Sequence, residues 1–203
     1  MLIIIPIQII VFAIFPMSST IIEWFEIFNK YPIIGLFHSD FFLMIDNILM
    51  AVIYLAFYHS LKSINKGLLQ IGIIIGLIGI AAYVSTCKTF ELLTLSNNYY
   101  KTTSEIEKNI IISSGQTMLA IWQGTAFDVY YVLNAITLLI VSLVMYRNSI
   151  FGKRTAIIGL ITGFFMIIPS TVGFIGLIFS LISLIPWYIF AIRFGKIFKT
   201  LSV

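Results

Sequence analysis

Apolar runs about as long as a bilayer's hydrocarbon core is thick recur along the whole chain, and that repetition restricts the fold more than any other feature. A helix rises 1.5 Å per residue, so a core of about 30 Å takes roughly 20 residues to cross. The runs fall near residues 2–22, 41–61, 67–87, 118–146, 155–169 and 173–192. Hydrocarbon offers no water to the backbone, so each run must satisfy its own peptide groups as a helix. With 60% hydrophobic and 10% charged residues, the chain lies outside the composition of a soluble domain. The reading is all-α: a polytopic transmembrane bundle of six helices making a single domain over residues 1–203. The first run is taken as a retained span, because it lacks a basic leader and a small-residue cleavage site.

Charge supplies orientation. Lys62 and Lys66 follow the second run; Arg147, Lys153 and Arg154 follow the fourth; Arg193, Lys196 and Lys199 follow the sixth, with no acid among them. The alternate connections carry Glu23, Glu26, Lys30 and Asp40, then Lys88, Glu91, Lys101, Glu105, Glu107 and Lys108. The positive-inside rule then predicts both termini in the cytoplasm and a multi-pass protein of the cell membrane. In the first outer loop Glu23, Glu26 and Lys30 share one helical face with Trp24, Phe25 and Phe28 turned away. That pattern fits a helix lying in the headgroup layer, or a plain extension of the first span. The stretch "TSEIEKN" reads as a capping box with Ser104 as N-cap, starting an outer surface helix near 104–116.

Small residues mark where helices can approach closely. Gly72, Gly76 and Gly79 lie on one face of the third run, Gly159 and Gly163 in the fifth, and Gly173 and Gly176 in the sixth. Such faces are packing surfaces in lipid first and ligand paths second. The fourth run is different, since its polar residues cover about half of the helix circumference and include Asp128. Counting back from the basic anchors puts Asp46 about 24 Å above Lys62 and Asp128 about 28 Å above Arg147. The two acids come out near the same level. Asp46, Asn47, Lys88, Gln123, Asp128, Tyr131, Ser170 and Thr171 are therefore candidate lining of one polar pocket near the outer face. An ionisable group in a span is a functional candidate by default, and an interhelical tie is the alternative.

Several chemistries find no support. Two histidines and one cysteine do not make a usual zinc site, no metal or other cofactor is indicated, and no phosphate-cradling loop or nucleophile elbow occurs. Nothing points to nucleic acid.

The segment from Trp122 to Phe198, with "GTAF" at its start and "PSTVGFIG" further on, resembles the C-terminal half of the prokaryotic domain-of-unknown-function 4386 membrane proteins, and a weaker likeness extends back to Phe41 through "LTLSNNYY". The resemblance implies a six-helix fold in a prokaryotic cytoplasmic membrane and no particular mechanism. Three readings stand. The first is a non-enzymatic membrane protein whose polar pocket binds or passes a small solute, a proton or a lipid headgroup. The second is a structural or regulatory subunit that associates through its glycine faces with a membrane-protein partner or with its own copies. The third is an intramembrane enzyme using paired aspartates.

Overall fold

The structure is a computed structural model, and it describes residues 2–15, 18–148 and 150–201. Nine helices occur among the described residues: α1 (Ile4–Ile14), α2 (Ile21–Lys30), α3 (Pro32–His38), α4 (Phe41–Thr86), α5 (Thr89–Lys101), α6 (Glu105–Trp122), α7 (Thr125–Tyr146), α8 (Lys153–Phe165) and α9 (Gly173–Leu201). They gather into two compact units. One comprises Ile3–Asn47 and Tyr83–Phe127, the other Ile48–Ala82 and Asp128–Val203.

This arrangement overturns the six-span bundle. Among the described residues, three stretches are long and apolar enough to cross a membrane: Phe41–Lys101, Glu105–Tyr146 and Gly173–Thr200. The first expected span shrinks to the 11 residues of α1 and the fifth to the 13 residues of α8, about 17 and 20 Å of helix. α1 stops because Phe15 is extended, in keeping with the steric conflict that a following proline, here Pro16, imposes on the residue before it. Expected spans two and three are joined in α4, and span four is divided at Gln123 and Gly124 between α6 and α7. Apolar length alone does not register where a helix stops.

In the first unit, α2 is set by a capping box: the Thr20 side chain accepts from the Glu23 N–H while the Glu23 carboxylate accepts from the Thr20 N–H. Its apolar face packs against protein. Ile21, Trp24, Phe25 and Phe28 are buried in a core with Leu92 of α5, and the Ser96 hydroxyl donates to the Phe25 carbonyl at 2.8 Å. α6 enters the same core through Gly115, where a Cβ would stand 2.5 Å from Ile21. Ser104 caps α6 by accepting from the Glu107 N–H at 3.4 Å.

In the second unit α4 doubles back. Asn65 leaves the helical region (φ −154°, ψ 87°), and a Cβ at Gly76 would lie 2.5 Å from Cε2 of Tyr54. Along a straight helix those two positions would be about 33 Å apart, so the two arms run antiparallel. α7 packs against the second arm. The Thr137 hydroxyl donates to the Gly72 carbonyl at 2.8 Å, and a Cβ at Gly72 would meet Ile140 at 2.7 Å, one at Gly79 the Asn134 amide at 2.7 Å. The Tyr54 hydroxyl donates to Oδ1 of Asn134. Gly163 lies against Leu139, Gly159 against Ser142 and Phe190, and Gly176 against the Pro169 carbonyl. Gly173 differs from the rest: it has open space around it and φ 60°, a conformation that few residues other than glycine take up without strain. Outward-facing Ile48, Val52, Leu55, Ile71, Ile74, Ile78, Phe174 and Ile185 leave this unit with an apolar exterior.

Candidate functional site

The eight residues expected to line a pocket are divided between the units. In the first, Asp46 and Asn47 are buried, with the Asn47 amide donating back to the Leu43 carbonyl at 2.9 Å. Lys88 is half-buried where α4 gives way to α5, and Gln123 is exposed at the end of α6. In the second unit Asp128 stands in the first turn of α7 and accepts a hydrogen bond from the Thr171 hydroxyl. Tyr131 meets Ser180 of α9 at 2.6 Å, while Ser170 is half-buried in the α8–α9 turn. The structure thus joins Asp128 to Thr171 and gives Tyr131 a partner that the spacing argument did not include. Thr171 and Ser180 tie α7 to the start of α9.

The most enclosed acid is one that spacing did not single out. Asp40 precedes α4 with φ 68° and ψ 9°, the only non-glycine residue with positive φ among those described. That left-handed conformation costs on the order of 1 kcal/mol or more in a non-glycine residue and persists only where its surroundings impose it. Here they do. Asp40 is 4% exposed, and its side chain turns away from the N–H groups of α4 that an N-cap would serve. Instead the carboxyl accepts from Nε1 of Trp122, at the end of α6, with the Tyr83 hydroxyl near enough to favour its charged form. The neighbouring backbone is pinned as well: the Thr89 hydroxyl donates to the Ser39 carbonyl, and the Ser39 hydroxyl donates to the Leu36 carbonyl at 3.2 Å. His38 is fully buried, its ring 4.9 Å from that of Trp24, which in turn meets the edge of Trp122 at 5.8 Å.

Trp122 of α6 and Tyr83 of α4 thus face the carboxyl, while Thr89 of α5 and Trp24 of α2 hold the residues beside it. Burial pushes Asp40 up to about 6, outweighing the influence of Trp122 and Tyr83, which favours the ionised form. A carboxyl so placed takes up or gives off a proton close to neutral pH. The sequence held a single hint, an acid directly before an apolar run. Nothing local marks Trp122 as its partner, 82 residues further on.

Long apolar stretches and acids enclosed or tied within helical units define a multi-pass membrane protein. The family model described as "Domain of unknown function (DUF4386)" matches residues 35–197. The chain belongs to that family, and the matched region takes in Asp40, Tyr83, Trp122, Asp128 and Thr171. No curated protein and no solved structure matches the chain.

Proposed function

We propose that this protein is a non-enzymatic membrane protein that binds or passes a proton or a small polar solute, with the Asp40 cluster as its charge-bearing element. The observation that carries the proposal is the enclosure of Asp40 in a left-handed backbone conformation beneath Trp122. Burying an acid next to a membrane segment costs several kcal/mol when it is ionised, and spending a strained backbone position on it as well favours a working group over a tie. The groups that bear on its charge are Trp122, through its hydrogen bond, and the Tyr83 hydroxyl. Asp46, with Asn47, Lys88 and Gln123, and Asp128, with Tyr131, Ser170 and Thr171, are further candidates for contacting the solute within their own units. The basic segments of the second unit are assigned to the cytoplasmic side by the positive-inside rule.

The test is reconstitution into liposomes loaded with a pH-sensitive dye, followed by an imposed pH step. Wild-type protein should dissipate the gradient, or take up protons stoichiometrically near pH 6, and Asp40→Asn should abolish that response. Asp46→Asn and Asp128→Asn are read in the same assay. A response in Asp40→Asn equal to that of the wild type would refute the assignment.

A further inference from the structure

The second unit is electrostatically one-sided. It holds Lys62, Lys66, Arg147, Lys153, Arg154, Arg193, Lys196 and Lys199, which is eight of the chain's twelve basic residues, and Asp128 alone of its eight acids. Asp128 and Arg147 stand at opposite ends of α7, about 28 Å of helix apart. The cations sit in three segments that are distant in sequence, and the fold brings these together. Leu61, next to Lys62, shares one apolar cluster with Phe151, next to Gly152 and Lys153, and with Phe194, next to Arg193. The Phe57 and Phe194 rings are 4.4 Å apart, and those of Phe151 and Phe194 5.2 Å. Nε of Arg193 donates to the Thr155 hydroxyl at 3.1 Å, and the Lys153 ammonium lies 5.7 Å above the Tyr146 ring. Lys62, Lys66, Arg147, Lys153, Arg154, Lys196 and Lys199 are exposed.

Over the two turns before Arg193 the exterior changes character. Ile192, Ile189 and Ile185 are 41%, 45% and 69% exposed. A cationic end joined directly to an apolar flank matches one kind of partner in both parts, a phospholipid with an anionic headgroup above and acyl chains below. A soluble polyanion would satisfy only the first.

We infer that the basic end of the second unit is a docking surface for anionic phospholipid headgroups, which it gathers selectively from the surrounding leaflet. Each Lys or Arg near an anionic surface strengthens the attraction about fivefold, and the effect is screened by salt. The surface shares no residue with the Asp40 cluster, so the two proposals stand or fall separately.

The experiment uses the full chain reconstituted in vesicles of four parts phosphatidylcholine to one part phosphatidylglycerol, then re-extracted in mild detergent. The phosphatidylglycerol share of the retained lipid is measured by mass spectrometry. Wild-type protein should retain it several-fold above the vesicle composition in low salt, and less in 0.5 M salt. The Lys62→Gln, Lys66→Gln, Arg154→Gln, Lys196→Gln quadruple variant should lose that several-fold enrichment and return to the input ratio. Should that variant not fold, the single Lys66→Gln and Lys196→Gln variants and the wild-type salt series carry the same test. Retention at the input ratio by wild type, equal enrichment in the charge-neutralised proteins, indifference to salt, or displacement of the lipid by inorganic phosphate would each overturn the inference.

Discussion

Replacing Gly76 by alanine tests the hairpin of α4 at its tightest point. The new Cβ would stand 2.5 Å from Cε2 of Tyr54 and 2.8 Å from Oγ1 of Thr137, both well inside van der Waals contact. Neither neighbour has space to yield, since Tyr54 is 3% and Thr137 0% exposed. Overpacking of this kind costs about 1–3 kcal/mol. If the Tyr54 ring moves aside, its hydroxyl leaves Asn134, and a buried polar group stranded in this way costs about 1–3 kcal/mol more. The preference of helices for alanine over glycine returns about 0.5–1 kcal/mol. The net loss is about 2–4 kcal/mol, which for a chain of this size lowers the melting temperature by about 5–15 °C. Gly67 supplies the control. It is exposed in the same helix with nothing within 4 Å of its missing Cβ, so Gly67→Ala should raise the midpoint by about 1–4 °C. Thermal unfolding of the purified proteins in nanodiscs, followed by circular dichroism, reads both. In the Gly76→Ala background, Tyr54→Phe should cost less than it does in the wild type, because the two sites share one contact. If Gly76→Ala melts within a degree or so of Gly67→Ala, the close approach of the two arms is wrong.

Three further outcomes are expected. Because folding raises the Asp40 carboxyl from 3.8 to about 6, the folded chain binds more protons than the unfolded one between those values. The contribution of Asp40 to stability should therefore be fully present below pH 3.8, decline by on the order of 3 kcal/mol as pH rises through 6, and then level off; the Asp40→Asn variant should lack this decline in a pH series of denaturation midpoints. Thr20→Ala removes the side-chain acceptor of the α2 capping box and should cost about 0.5–2 kcal/mol, seen as faster amide exchange at Glu23 and Trp24. Thr171→Val takes away the hydroxyl that Asp128 accepts from at an exposed site; unfolding midpoints should shift by less than about 1 kcal/mol, whereas a larger loss would mean that the pair holds the α8–α9 turn in place.

What could be read from the sequence was what has a local signature. The face of Trp24, Phe25 and Phe28 follows from helical spacing, and Ser104 before Glu107 announces the start of α6. The chain reversal near Lys62 and Lys66 shows as a polar interruption between two apolar runs. Helix lengths were less legible, since Ile, Met and Phe read alike inside a helix and just past its end; hence α1 and α8 are shorter than their apolar runs. The destination of the α2 apolar face was equally hidden, because Phe28 would look the same against lipid as it does packed with Leu92. The Asp40 cluster was out of reach for another reason: its geometry depends on a left-handed backbone and on a tryptophan from a distant helix, and neither leaves a periodic trace.

Tyr54 and Gly76 sit eleven residues either side of Asn65, so this hairpin is a zip whose teeth are numbered outward from its fold. Adding or removing one residue between them would swing every tooth beyond by about 100° and present isoleucine side chains where the opposite arm requires bare backbone. Length variation among relatives should accordingly collect in the connections between helices, while the interval from Tyr54 to Gly76 keeps a constant count.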